Sequence, residues 1–420
     1  MRCFFSAIVL LIVALLLLEV VLCKKWWHRK RNNKEGHNGH HKKSSSSSSS
    51  SSSSADSSDS SESDEDKSKS AELLTDQGRQ KRRSRALSRV AKCNERSGGL
   101  WRAILNERFA MMSDTDKKRM AGLLIIGNNG TLSPIATTPA AQIPAQRIIS
   151  KRRRKRATCT ATISFDARQQ WPACAAIINK VQDQSKCGDC WAVATASVYN
   201  DRYCINRVKK GQSTDANSAS SYVSSLDIMS CSPNSFGCDG GSPYYAWDWI
   251  QSTGVVSGTD YPTKNGCKPY PFEPKARTRF TTPSCSAKCS NSAWKTAYTA
   301  DRKFASATDF LQDDMSTVSA IKNEIKTNGP VVASMIAYND LYYYSTGVYT
   351  RTSNTNMGGH AVRLIGWGKQ KCTDGTSQDF WIAVNSWNTD WGQKGIFYIA
   401  KGVDEVGIER MGIFWGTPKV

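Results

Sequence analysis

Eleven of the chain's fourteen cysteines fall between Cys159 and Cys372. Eleven is odd. In an oxidising compartment cysteines pair, so this stretch predicts five bridges and one thiol left over. So many staples confine the segment to few loop arrangements, and the leftover thiol is the candidate for chemistry. Two of the eleven, Cys187 and Cys190, form a C-x-x-C in "QSKCGDCWAV" (184–193). That spacing suits half of a zinc site, a dithiol redox pair, or a structural half-cystine three residues before a catalytic thiol.

The N-terminus supplies the compartment. Met1 and Arg2 precede the apolar "AIVLLIVALLLL" (7–18), with Val21 and Cys23 acceptable at a cleavage site. Residues 1–23 therefore read as a signal peptide. The rival is a signal anchor, because residues 3–23 are nearly long enough to span a bilayer. Either reading sends the rest of the chain into the secretory route, with the lysosome or the extracellular space as destinations and membrane tethering as the lesser alternative.

Residues 24–89 read as a disordered tail. They run from a basic, His-bearing stretch through eleven serines (44–54) to the acidic "DSSDSSESDED" (56–66), with almost no apolar surface to offset chain entropy. The net charge of +21 prompts a nucleic-acid reading. However, the basic runs at 24–43, 79–92 and 151–156 all precede Ala157 and read as solvated tail and cleavage signals, so no nucleic-acid partner is expected.

Residues 90–156 read as a pro-segment. "LWRAIL" (100–105) and "DKKRMAGLLI" (116–125) suit short amphipathic helices, and Asn129 heads an N-x-T glycosylation acceptor. The Pro/Ala/Thr-rich linker 131–146 leads to "KRRRKR" (151–156), a processing site for a basic-specific convertase cutting after Arg156. The mature chain would span 157–420. There helical patterns come first (190–204, 221–231, 242–254, 318–330) and strand patterns second (331–338, 347–350, 360–368, 379–387, 395–400). The fold class is α+β, with two lobes and a cleft between them.

The three readings of the C-x-x-C make different demands. Structural zinc needs four Cys/His ligands. Cys285 and Cys289 could add a pair, but the other cysteines would be unexplained. A thioredoxin-like dithiol opens a helix in a small parallel domain; here the chain is long, and Trp191 follows the second cysteine. The nucleophile reading uses more residues. Cys190 begins a helix, where unpaired N–H groups and the dipole favour a thiolate. It needs a base, and of the five histidines four lie in the tail (28, 37, 40, 41), which leaves His360. Asn385 can orient the imidazole, Trp387 can shield that bond, and the Gln184 amide can help the Cys190 N–H hold an oxyanion.

"QSKCGDCW", "CDGG" (238–241), "GGHAVRLIGWG" (358–368) and "NSWNTDWG" (385–392) resemble the papain family of cysteine proteases. "SFDARQQWPACAAI" (164–177) and the pro-region "LWRAILNERFAMMSDTDKKRMAGLL" (100–124) resemble the cathepsin B-like subgroup. The resemblance implies a papain-like two-lobed fold with a helical left lobe, a β-barrel-like right lobe and an N-terminal inhibitory propeptide. It implies Cys190 as nucleophile, His360 as general base and acid, Asn385 as orienter and Gln184 in the oxyanion hole. Trp191 and Trp387 are supporting residues. Gly240 and Gly241 would pair with substrate backbone, Met411 would sit at the base of the S2 pocket and Trp391 would line the primed side. The implied bridges are Cys174–Cys204, Cys187–Cys238, Cys231–Cys285 and Cys267–Cys289. Arithmetic then leaves Cys159 and Cys372 as a fifth pair.

The resemblance also implies protein or peptide substrates, the chain's own propeptide as inhibitor, cystatin-type inhibitors, and no cofactor or metal. His360 and Asn385 lie 170 and 195 residues beyond Cys190, further than the usual ~130–150, so extra chain sits between. In cathepsin B that extra includes a loop whose paired histidines grip a substrate's C-terminus. The matching stretch here (267–285) has no histidine, so endopeptidase activity should dominate over dipeptide release. Met411 stands where the subgroup has a glutamate and predicts apolar P2 residues. Asp189, beside the nucleophile, stands where the family has a small residue. A carboxylate there disfavours a thiolate, and this is the ground for the alternative of a weak or silent homologue acting as a binding protein.

Overall fold

The computed structural model describes residues 75–126, 131–134 and 158–420. The expected signal peptide, the serine and acidic tracts, Asn129, most of the linker and the KRRRKR run lie outside the described residues.

The N-terminal segment opens with helix α1 (Asp76–Arg96), capped by the Thr75 hydroxyl on the Gly78 N–H. The tail assigned to 24–89 therefore stops short of residue 76. Arg, Lys, Gln and Ala are good helix formers, and only Gly78, Ala86 and Cys93 are buried on a narrow stripe. A basic run with so little apolar patterning carries no local sign that it docks. Ion pairs Arg83–Glu107 and Arg89–Asp114 fasten it to the next two helices, α2 (Glu107–Met111) and α3 (Asp114–Met120).

Between them, "LWRAIL" is no helix. Trp101–Ala103 is strand β1, with Trp101 and Ala103 buried and Arg102 exposed. A run this short fits either period, and the edge of a neighbouring strand decides it. The second expected helix also ends early. After Met120 the chain is extended through Leu124–Ile126 (β2), which pairs with Leu132–Pro134 (β3).

Beyond the linker come β4 (Cys159–Asp166), the single turns α4 (Ala167–Gln170) and α5 (Ala175–Ile178), and the long helix α6 (Cys190–Lys209). Fourteen of the twenty α6 residues are buried, so it is enclosed nearly all round and forms the spine of the helical lobe. Helices α7 (Ser225–Cys231) and α8 (Pro243–Ser252) pack on it. Its Asp201 takes both oxygens' bonds from Arg363 at 2.7 Å, tying the lobes together. Burial still pushes that carboxyl up to about 6, against the pull of Arg363.

The strand lobe contains β5 (Ala305–Leu311), helix α9 (Val318–Asn328), β6 (Val331–Tyr338), β7 (Tyr344–Tyr349), β8 (Asn356–Cys372), β9 (Ser377–Val384), β10 (Ile396–Ala400) and β11 (Ile413–Pro418). All eight β6 residues are buried, which explains its unbroken apolar run between β8 and β11. The sheet order is β1-β7-β10-β9-β8-β6-β11-β5, with β4 also on β8. The β-barrel-like lobe expected from the resemblance is therefore an open sheet: β5 and β1 stay as its two edges. The pro-segment itself supplies β1, pairing Trp101 with Gly347 and Ala103 with Tyr344.

The strand-lobe core takes in Trp101, Ala103, Phe109, Met112 and Met120, while Leu123 joins the core around α6. The pro-segment thus packs into both lobes. Among the described residues five disulfides join Cys159–Cys372, Cys174–Cys204, Cys187–Cys238, Cys231–Cys285 and Cys267–Cys289. Cys93 and Cys190 are free.

Candidate active site

Cys187 is bonded to Cys238, and Cys285 and Cys289 to other cysteines, so the thiols that zinc or dithiol exchange would need are consumed. Cys190 remains, fully buried, at the first turn of α6. A twenty-residue helix directs its positive end at this sulfur. The N–H groups of Ala361, Gly122 and Trp191 point at it as well, but burial outweighs them and pushes the thiol up to about 12.

Because Ala361 donates toward Cys190, the sulfur lies against β8 beside His360. The His360 Nε2 is 2.7 Å from Asn385 Oδ1, which also accepts the Ser386 N–H. Nδ1 is buried and has no hydrogen-bond partner, which leaves this nitrogen free to act as the base. Burial holds the imidazole down at about 4, although the Asn385 bond works the other way. The pair is thus neutral thiol and neutral imidazole. Trp387 covers the ring at 4.9 Å and is itself stacked on Tyr342 and against Phe109 of α2.

Gln184 is buried. Its Nε2 donates to the Cys187 and Met120 carbonyls at 2.7 and 2.9 Å, and its Oε1 accepts from Ser386 Oγ. The amide expected to hold an oxyanion therefore holds a pro-segment carbonyl. Two glycine walls grip the residues that follow. Gly241 N–H donates to Gly122 O, Leu124 N–H to Gly241 O, and Leu123 N–H to Gly359 O. Trp191 backs one wall: a Cβ on Gly241 would lie 2.4 Å from its ring. Gly240, at φ +121°, faces Leu124. The resemblance gave Gly240 and Gly241 a backbone-pairing role; here Gly241 pairs with Gly122 and Leu124, while the Gly240 backbone bonds within its own turn, to Gly237 and Phe236.

Trp391 requires correction. It is 1% exposed, donates to the Leu341 carbonyl and packs edge-on behind Trp387, so it does not line the cleft. The ring facing His360 belongs to Trp387. Met411 is half-buried, its side chain beside Gly407 and against the strand-lobe core.

Three groups around the nucleophile went unread in the sequence. Asp183 takes a bidentate bond from Arg108 of α2, both contacts 3.0 Å, and further bonds from the Ser185 and Lys275 N–H groups and Asn388. Ser386 holds Gln184. Tyr270, from the loop 267–285, places its hydroxyl 2.9 Å from Asp189 Oδ2 and 3.1 Å from the Gln184 carbonyl. That loop also binds Ser185 through the Glu273 carbonyl and the Ala276 N–H, and reaches Asp390 through Lys275. Asp189 is buried, and burial pushes its carboxyl up to about 8. Below that value the neutral acid dominates; where Asp189 is ionised, its charge adds to burial in raising the Cys190 thiol. No pattern marks the Arg108–Asp183, Ser386–Gln184 and Tyr270–Asp189 contacts, because each joins segments far apart in sequence. The one available cue was that Asp189 breaks a small-residue position.

Among the described residues no cluster of three His, Cys, Asp or Glu could hold a metal ion.

Residues 161–415 match the model for papain family cysteine proteases. The chain is 38% identical over 274 residues to cathepsin B-like cysteine proteinase 4 of Caenorhabditis elegans, covering 62% of this chain and 76% of that one. It is 38% identical over 259 residues to cathepsin B-like cysteine proteinase 1 of Haemonchus contortus, covering 59% and 70%. The solved structure of procathepsin B S9 from Trypanosoma congolense superposes with a TM-score of 0.60 at 31% identity, over 83% of this chain and 99% of that one. Digestive procathepsin L2 from Tenebrio molitor, at 20% identity, TM-score 0.53 and 84% and 98% coverage, shares the fold. With a free cysteine at a helix start, a histidine–asparagine pair beside it and a pro-segment through the cleft, the chain belongs to the papain family of cysteine proteases, in its cathepsin B-like branch.

Proposed function

We propose that the chain is the proenzyme of a cysteine endopeptidase and that residues before about 157 silence it until they are cut away. One observation carries this reading. The Gly122–Leu124 backbone is hydrogen-bonded between Gly241 and Gly359, with the Met120 carbonyl on the Gln184 amide and the Gly122 N–H at Cys190. A substrate backbone needs the same donors, so pro-segment and substrate compete.

Removing the segment lets water reach Cys190 and His360. The desolvation that holds both neutral is relieved, and a thiolate–imidazolium pair becomes affordable. The thiolate attacks the scissile carbonyl carbon. The oxyanion takes bonds from Gln184 Nε2 and the Cys190 N–H. His360 then gives its proton to the leaving amine, which departs and leaves an acyl-enzyme. Water, deprotonated by His360, releases the acid.

The compartment is the secretory route, lysosomal or extracellular, in keeping with five disulfides. Processing after Arg156 by a basic-specific convertase and inhibition by cystatin-type proteins follow from the same reading. Loop 267–285 carries no histidine pair, and Met411 replaces an acidic S2 residue. We therefore assign endopeptidase activity with apolar P2 preference. Efficient dipeptide release from a free C-terminus, or a P2 arginine preference in a substrate scan, contradicts those two points.

The test is to express the proenzyme, cut after Arg156 and assay an apolar-P2 fluorogenic peptide. Hydrolysis is expected to appear on processing and to vanish in Cys190→Ser. A processed wild type with no activity and no reactive thiol overturns the reading.

A further inference from the structure

The Tyr270 hydroxyl has one proton and two acceptors in reach, Asp189 Oδ2 at 2.9 Å and the Gln184 carbonyl at 3.1 Å. A carbonyl oxygen cannot donate. Both contacts are hydrogen bonds at once only if Asp189 supplies the second proton. The Asp189 Oδ1 has no partner and the side chain is fully buried, surroundings in which a carboxylate is costly and a carboxylic acid much less so. Asp189 stands at the N-cap of α6, where a carboxylate oxygen would ordinarily take a helix N–H, yet its side chain makes no cap bond. It points instead into the loop 267–285.

We propose that Asp189 is a positioning residue of the cysteine protease mechanism, donating as a neutral acid to Tyr270, which donates on to the Gln184 carbonyl. The relay spans both ends of the turn 184–190. One end carries the oxyanion donor Gln184 and the other the nucleophile Cys190, so their separation is set through a side chain from a distant loop. This rests on the protease reading above.

Three titratable groups face Asp189: Tyr270, Asp183 and Cys190. Tyr270 favours the ionised form of Asp189, while Asp183 opposes it. Asp183 is held by Arg108 in the proenzyme and loses that cation on processing, which strengthens its opposition. Ionisation of Asp189 reverses the donor direction, frees the Gln184 carbonyl and places a buried charge beside the sulfur. The relay therefore predicts an alkaline limb in activity that belongs to Asp189.

The test uses the processed enzyme as wild type, D189N, D189L and Y270F. An asparagine keeps a donor toward Tyr270 at every pH; leucine keeps bulk without a donor. Expected at pH 5.5 is D189N within about threefold of wild type, with kcat about tenfold lower in D189L and Y270F and KM little changed, because the oxyanion donors act on the transition state. Above pH 8, D189N should outlast wild type by about one pH unit. Equal loss in D189N and D189L overturns the relay, as does wild-type kcat in all three, or an alkaline limb that D189N leaves unmoved. If D189L fails to fold, Y270F supplies the same comparison. Cys190 alkylation by iodoacetamide, which needs no turnover, must separate wild type from D189N above pH 8; coincident profiles sink the proposal even if peptide hydrolysis fails. A silent wild type overturns the protease reading, and an active one with coincident profiles overturns the relay alone.

Discussion

Gly122 passes so close to the nucleophile turn that a Cβ on it would lie 1.7 Å from the Gly188 carbonyl oxygen. Gly188 is equally confined, between the Arg119 and Cys238 carbonyls at 2.5 Å each. Backbone lines both sides, so neither can give way by a rotamer change. Gly122→Ala is therefore expected to unseat the segment: iodoacetamide should label Cys190 in the uncut proenzyme at least ten times faster than in wild type. Equal labelling rates would show that the close approach is dispensable. Asn385 makes the second prediction at this scale. Its Oδ1 fixes His360 through Nε2, and loss of that acceptor frees the ring. Asn385→Ala in the processed enzyme should lower kcat about 10–100-fold with KM little changed, since orientation matters most in the transition state. A KM effect alone would place Asn385 in substrate binding instead.

Short helix α2 holds more than its five residues suggest. Arg108 enters a site where both partners are nearly buried, at 8% and 3% side-chain exposure, and Phe109 covers Trp387. Removing one partner of a buried pair typically costs about 3–5 kcal/mol. Here Asp183 keeps three other donors, so the lower end applies, roughly a hundredfold in affinity. Arg108→Ala is expected to raise the Kd of the nicked segment by that factor in a Cys190→Ser background, measured by gel filtration. A change under threefold would mean that the β1 pairing and the Phe109 contact carry the hold. Helix α1 shows why elements can be missed in reading a sequence. Its buried stripe is three residues, too few to stand out from a basic run, and its helicity becomes definite only when Asp114 and Glu107 receive its arginines.

Across the whole molecule, the covered site links activation to pH. Burial holds His360 at about 4, below its ordinary 6.5. In a Cys190→Ser background no thiolate–imidazolium pair can form and His360 titrates alone, so between those values the uncovered state binds more protons than the covered state. There the hold of the segment is fully present above about 6.5 and weakens as pH falls toward 4, by up to about 1.4 kcal/mol per pH unit. Expected in that background is a Kd for the nicked segment that rises up to about tenfold per pH unit over that window. A flat Kd would mean that His360 stays buried after release. Asp189 has the opposite sign for global unfolding. Its raised pKa stabilises the fold at low pH, and that stability is lost as pH rises from about 4 through about 8.

The cysteine arithmetic, the lone histidine beyond the tail and the helix-then-strand order were all legible in the sequence, because each depends on composition or local period. Five pairs and one free thiol need only a count, and α6 or β6 need only their own residues to be recognised. The sequence did not reveal that "LWRAIL" is an edge strand, that the sheet stays open, that Trp391 lies behind Trp387, or that Arg108, Ser386 and Tyr270 serve the nucleophile turn. Those depend on which distant backbone or carboxyl comes within 3 Å, and chain order does not encode that locally. Asp189 falls on both sides. Its position next to Cys190 was plain from the sequence, and a lone carboxylate there argued against activity. Only burial against Tyr270 could decide its protonation, because the cost of charge depends on the surroundings that the fold supplies.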